Sequence, residues 1–197
     1  MTTFAEMVSD VIALTARPDL QAETELAVRA STLKAHHSDF YSKDLVETGI
    51  QFDTAQHLQT LQYMQMFPDW RKVRYLRKVA DDGVTVREFL ELIAPEDSLD
   101  MYNVLRVDVA YFAGKNLHIR SSTAETKYLI GYFQHPVATK DGYDSWIANE
   151  YPFAIIYEAA ATVFNTIGQQ EKTGLYKQMT AELYRVLKIN GISEVGY

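Results

Sequence analysis

Cysteine is absent from all 197 residues. That excludes disulfide staples, thiolate nucleophiles and cysteine-held zinc or iron–sulfur centres, and it fits assembly in a reducing cytoplasm. Also missing is any apolar run of the eighteen or more residues that a membrane span requires. The start, Met1-Thr2-Thr3-Phe4-Ala5-Glu6, has neither the basic residues nor the apolar stretch of a signal peptide. A soluble, unexported chain with no membrane partner is expected. Positive charge is in deficit, with a net charge of −7. Wrapping DNA needs a surplus of Lys and Arg against phosphate, whereas a conduit that DNA crosses without sticking does not. The catalytic signatures Gly-x-Gly-x-x-Gly, the phosphate loop, His-Glu-x-x-His and Gly-x-Ser-x-Gly are all lacking.

What is present is enough for a sizeable core, since a chain of this length buries roughly 70% of its unfolded surface. Thr3 is placed to cap a first helix carrying Phe4, Met7, Val8, Val11 and Ile12, and Pro18 breaks it. A second helix is predicted from about Leu20 to His37. The period then shortens, predicting strands over Phe40–Gln51, Ala55–Tyr63, Trp70–Val79, Val104–Phe112, Leu117–Arg120 and Tyr128–Gln134. Ala113-Gly114-Lys115 reads as a hairpin turn. Val84–Leu92 fits strand or helix, and Pro95–Met101 a short helical turn. Charges on both faces of Trp70–Val79 predict a projecting or interface strand.

The last fifty residues carry the clearest pattern. Phe153, Ile156, Tyr157, Ala160, Val163, Phe164 and Ile167 recur at steps of three and four, as do Leu175, Met179, Leu183, Val186 and Leu187. Two apolar stripes predict an antiparallel helical hairpin, with Trp146, Phe153, Ile156, Phe164 and Leu183 in its core. Pro152 suits a first helical turn. Gly168 and then Asn190-Gly191 supply the stops. The expected fold class is α+β: N- and C-terminal helices (about 1–38 and 144–190) packed as a helical bundle, with an inserted, mainly antiparallel β-sheet (about 40–136), all in a single domain 1–197.

Charge is unevenly spread. Arg71, Lys72, Arg74, Arg77 and Lys78 form the basic cluster, followed by Asp81, Asp82, Glu88, Glu91, Glu96, Asp97 and Asp100 against Arg87 alone. Arg71, Lys72, Arg74, Arg77, Asp81 and Asp82 are therefore candidate inter-subunit residues. His36-His37-Ser38-Asp39 offers metal-ligand types, but adjacent histidines at a helix end point apart, and no metal or cofactor is expected. His118, between Leu117 and Ile119, is expected to alternate outward. The 13 Tyr, 9 Phe and 2 Trp supply stacking surfaces for a binding module, yet a basic–aromatic pairing occurs only at Trp70. Tyrosine enrichment fits broad protein interfaces equally well.

In order along the chain, four segments resemble one family. They are Leu26-Ala27-Val28-Arg29-Ala30 through His37-Ser38-Asp39-Phe40 to Lys43-Asp44-Leu45-Val46-Glu47; Met66-Phe67-Pro68-Asp69-Trp70-Arg71-Lys72-Val73; Tyr128-Leu129-Ile130-Gly131-Tyr132-Phe133-Gln134-His135-Pro136; and Trp146…Tyr151-Pro152 with the helix that follows. The chain resembles the head–tail adaptor (connector) proteins of tailed bacteriophages, especially short-tailed types. The resemblance implies a non-enzymatic virion protein, assembled in the host bacterial cytoplasm and placed at the head–tail interface. Such proteins form a ring, usually of twelve copies, beneath the portal ring. The ring extends the DNA channel, without specific DNA binding, and carries tail or nozzle proteins. It also implies that residues 191–197 form a docking tail, with Ile192, Val195 and Tyr197 as apolar anchors on the portal. The alternative is a virion-borne glycosidase that opens peptidoglycan. It requires an acid and a second carboxylate across a cleft, for which Glu96 with Asp97, or Glu88 with Glu91, are the candidates.

Overall fold

The computed structural model describes residues 2–80, 85–100 and 102–194, with side chains as far as residue 190. Its helices are α1 (Phe4–Thr15), α2 (Gln21–His37), α3 (Tyr63–Met66), α4 (Trp146–Glu150), α5 (Pro152–Thr166) and α6 (Gln170–Glu194). Its strands are β1 (Leu45–Leu61), β2 (Trp70–Val79), β3 (Val86–Leu92), β4 (Val109–Ala113) and β5 (Asn116–Gln134). The chain divides into two compact units: Met1–Asp44 with His135–Tyr197, and Leu45–Gln134.

The first unit is helical. Thr3 opens α1 with a capping box: its hydroxyl accepts the Glu6 N–H at 3.2 Å, and the Glu6 carboxylate accepts the Thr3 N–H at 2.7 Å. Met7 and Val11 of α1, Ala27 and Val28 of α2, and Ile155, Ile156, Ala160 and Phe164 of α5 share one core. Gly168, at φ 75°, turns the chain after α5. The buried face of α6 is not all apolar. Leu187 is joined there by Thr173 and Thr180, whose hydroxyls donate to the carbonyls of Gln169 and Tyr176. Back-bonding of this kind lets a hydroxyl stay inside without an orphaned group.

The second unit is a barrel. β1 runs antiparallel along one edge of β5, from Leu45 opposite Phe133 to Leu61 opposite Leu117. The other edge of β5 pairs with β4 over Leu117–Arg120 and with β2 over Tyr128–Gln134. β2 pairs antiparallel with β3, and β3 pairs parallel with β4. The circuit β5-β2-β3-β4 thus returns to β5 as a closed four-strand barrel with mixed pairing. Ile50, Leu76, Leu90, Leu117, Ile119 and Ile130 fill it. At the end where β2 begins, Trp70 stacks on Tyr132 (centroids 5.3 Å) and meets Phe112 and Tyr63.

These observations correct the expected architecture. Among the described residues the expected helical bundle with an inserted sheet is not what forms: the strands close on themselves as a barrel with mixed pairing, β3 and β4 being parallel. The two units have their boundaries at Asp44 and Gln134. β1 begins five residues later than expected, because Phe40–Asp44 belongs to the helical unit and ends in a 3-10 turn. It then continues through a bulge between Gln51 and Leu58 as one strand where two were expected. Val104–Val107 is not strand. α6 does not stop at Asn190-Gly191 but continues to Glu194, and the Asn190 amide donates to the Tyr151 hydroxyl at 2.6 Å.

β2 is an inner strand, not a projecting one, and its Arg77 and Lys78 bond within the same unit. On its outer face Tyr75 covers Gly131 and donates to Glu47. The Arg77 guanidinium lies over the rings of Tyr75 and Phe89, at 4.3 and 4.6 Å. A methyl group on Gly131 would meet the Tyr75 ring at 2.4 Å. Gly131→Ala is therefore expected to lower stability by about 1–2 kcal/mol, as overpacking does, because Tyr75 must leave Glu47 and Arg77. Urea denaturation checks this, and an unchanged midpoint would show that the ring is not held.

Candidate functional site

Each unit holds a polar network built on one buried side chain, His36 in the helical unit and Lys78 in the barrel. In the helical unit His36, 2% exposed, closes α2 against two other segments. Its Nδ1 is 2.8 Å from Asp44 Oδ1 and its Nε2 is 2.9 Å from Ser145 Oγ. Ser145 Oγ also caps α4 by accepting the Ala148 N–H at 3.1 Å, and the Trp146 indole N–H donates to Asp44 Oδ1 at 2.8 Å. A carboxylate only accepts, so His36 Nδ1–H donates to Asp44, while Nε2 is hydrogen-bonded to the Ser145 hydroxyl. The residue types match a nucleophilic triad. The hydroxyl, however, is a buried helix cap, so the arrangement ties segments together.

In the barrel the corresponding group is Lys78, 2% exposed, on the inner face of β2 at the end opposite Trp70. Its ammonium donates to Asp108, to Glu88 at 3.0 Å and to Ser122 at 3.3 Å. Burial pushes the Lys78 pKa down, but the bonds to Asp108 and Glu88 outweigh it and hold the pKa above the ordinary lysine value. Burial pushes Asp108 up. Lys78, the Ser122 N–H (2.9 Å) and the Ser122 hydroxyl outweigh that and hold it below the ordinary aspartate value.

The surface that stands out is the link between the 3-10 turn Pro95–Ser98 and β4. It is a hydrogen-bonded knuckle. Leu99 bridges Leu105; the Asp100 N–H donates to the Val104 carbonyl at 2.8 Å; the Arg106 N–H donates to the Ser98 carbonyl at 3.0 Å. The Asp100 carboxylate accepts the N–H groups of Tyr102 and Val104, both at 2.8 Å, and Asn103 takes the left-handed conformation at the tip (φ 59°). On this frame Leu99, Tyr102 (77% exposed), Val104, Leu105 and Val107 all face solvent. Isolated exposed apolar residues are ordinary, but five on one short loop make it a candidate interaction surface. Glu96, Asp97 and Asp100 give it an acidic border, and Arg106 is held by Glu91 at 2.5 Å.

The predicted site residues are dispersed. Ile156 and Phe164 lie in the helical core, with Trp146 and Leu183 packed partly buried against it. Phe153 is a correction: it is 52% exposed and lies on Tyr157, because its position on α5 faces away from the other helices. Leu175 and Val186 are exposed for the same reason. Arg77 lies against Glu47, Tyr75 and Phe89 within its own unit. Arg71 and Lys72 also have partners, whereas Arg74 projects outward. Asp81, Asp82, Val195 and Tyr197 lie outside the described residues. The backbone at Ile192 is helical, so an extended tail does not start at Gly191. His118 Nδ1 is hydrogen-bonded to the Thr60 hydroxyl at 3.1 Å, and the ring stacks on Tyr111. His37 meets His135 at 3.0 Å. The four carboxylates weighed for sugar hydrolysis line neither described cavity: Glu88 is on Lys78, Glu91 on Arg106, and Glu96 and Asp97 are exposed on the 3-10 turn.

No signal in the sequence pointed to the knuckle or to the two networks. Asp100-x-Tyr102 and Asn103 are turn-forming types, but their meaning depends on strands that pair far away. No helix among the described residues is long and apolar enough to cross a membrane. The chain matches no protein-family model and no curated protein.

Proposed function

We propose that this protein is a head–tail adaptor of a tailed bacteriophage. Many copies, twelve by the usual count, form a ring beneath the portal, extend the DNA channel and carry the tail or nozzle protein. The observation that carries this reading is the knuckle at Ser98–Arg106, an apolar surface preorganised by backbone hydrogen bonds and suited to assembly with another protein surface. The order of the four resembling segments supplies the particular assembly. The net charge of −7 suits a channel through which DNA passes without adhering. The reaction, in this reading, is association itself: weak contacts between copies become a stable ring when the portal supplies a template.

The test is the native mass of the purified chain, alone and after mixing with the portal ring of the phage that encodes it. A single defined multiple of the chain joining the portal is the expected outcome. A chain that leaves the portal mass unchanged at micromolar concentrations would overturn the adaptor reading.

A further inference from the structure

The knuckle needs an occupant for its surroundings, and the helical unit of a second copy offers one. Along α2, Leu26 is 67% exposed beside a cavity of about 270 Å³, lined also by Phe4, Ala22 and Ala138 and bordered by Glu25, Arg29 and Lys140. We propose that Tyr102 of one copy enters this groove on the next copy, with the acidic border of the knuckle facing Arg29 and Lys140. This rests on the ring reading above and names the contact that builds the ring.

Three observations favour it. First, the two surfaces are complementary in charge as well as apolar character. Glu96, Asp97 and Asp100 border the knuckle, and the groove carries Arg29, Lys140 and Glu25, the last two paired at 3.4 Å, so that one positive charge, that of Arg29, is in excess there. Opposite signs steer the encounter and fix its register. Second, a knuckle meeting its own counterpart would set those three acids against three others, and like charges juxtaposed at an interface are strongly unfavourable. Third, knuckle and groove are different surfaces of one chain, so their contact is head-to-tail. Head-to-tail contacts are the kind that close rings, whereas a self-complementary patch stops at a dimer. Tyrosine in a small apolar pocket is also a common anchor of binding energy, and the hydrogen-bonded frame spares the loss of loop freedom on docking.

Because the chain has no cysteine, each single-cysteine variant carries one thiol and the test is clean. Val104→Cys on the knuckle and Thr139→Cys at the groove, which leave Tyr102 and Leu26 in place, are prepared separately, shown to fold by circular dichroism, mixed in equal amounts, assembled on the portal ring and treated with a short bifunctional maleimide. Covalent dimers should form in the mixture at several times the yield of either variant alone. Arg29→Glu in the Thr139→Cys chain should reduce that yield, and Asp97→Lys in the Val104→Cys chain should restore it. Assembly to full mass without cross-links above the single-variant level would overturn this contact and leave the adaptor reading standing. Equal cross-linking of Val104→Cys with itself would replace it by a symmetric contact. Failure of the unaltered chain to join the portal would remove the adaptor reading, and this contact with it.

Discussion

Asp108→Ala is expected to lower the stability of the barrel by about 3 kcal/mol, toward the low end of what removing one partner of a buried ion pair does. The ammonium of Lys78 would remain inside with Glu88, whose side chain is mostly exposed, as its remaining carboxylate. Part of the loss comes from the backbone, since Asp108 sits at φ 59°, where alanine is disfavoured and asparagine tolerated. Asp108→Asn should keep the turn and lose only the charge, and so should fall between wild type and alanine. The pH dependence follows from the sign of the shifts. The Asp108 pKa is lower in the folded chain, so its contribution is present above the unfolded value of about 3.9 and is lost as pH falls through the folded one. The Lys78 pKa is raised; its contribution holds below about 10.4 and disappears as pH rises through the folded value. Denaturant melts read by Trp70 fluorescence, in a Trp146→Phe background, should show the acid limb in wild type and its absence in Asp108→Asn. Matching acid limbs in both proteins would mean that the pair does not stabilise the fold.

His36→Ala should cost the helical unit about 3–4 kcal/mol, combining an imidazole-sized void with the loss of hydrogen bonds to a buried carboxylate. Asp44 and Ser145 lie in segments far apart in the chain, and His36 is the side chain that bonds to both. A loss of that size should lower the melting temperature by roughly 10 °C. His36→Asn retains a donor toward Asp44 and should lose less, while Ser145→Ala should lose about 1 kcal/mol, the worth of a helix cap. If His36→Ala melts within a degree or two of wild type, the network is incidental to stability.

Local chemistry was legible in the sequence where a short pattern determines the outcome. Thr3 with Glu6, Gly168, the turn at Gly114 and the limits Trp70–Val79 all follow from residues within a few positions of one another. Phe40–Asp44 imitates a strand by alternation, yet Asp44 is drawn to His36 and Trp146, which no window of ten residues reveals. Val104–Val107 fails in the same way: its apolar side chains Val104, Leu105 and Val107 stay exposed, because Asp100 and Asn103 fold the backbone on itself. Barrel closure was hidden for a different reason. It depends on β5 pairing with two different strands along one edge, and on a parallel match between Glu91–Leu92 and Val109–Ala110. Lys78 likewise reads as surface charge until Asp108 and Glu88 are brought beside it.

The division of the chain has a bearing on synthesis. The barrel is one continuous stretch, Leu45–Gln134, whereas the helical unit joins Met1–Asp44 to His135–Tyr197. A ribosome adding roughly 5–20 residues per second therefore delivers everything the barrel needs some seconds before α5 and α6 exist. Until then α1 and α2 present Met7, Val11 and Val28 without the helices that cover them. During that interval the emerging N-terminal segment is the part of the polypeptide most in need of a chaperone.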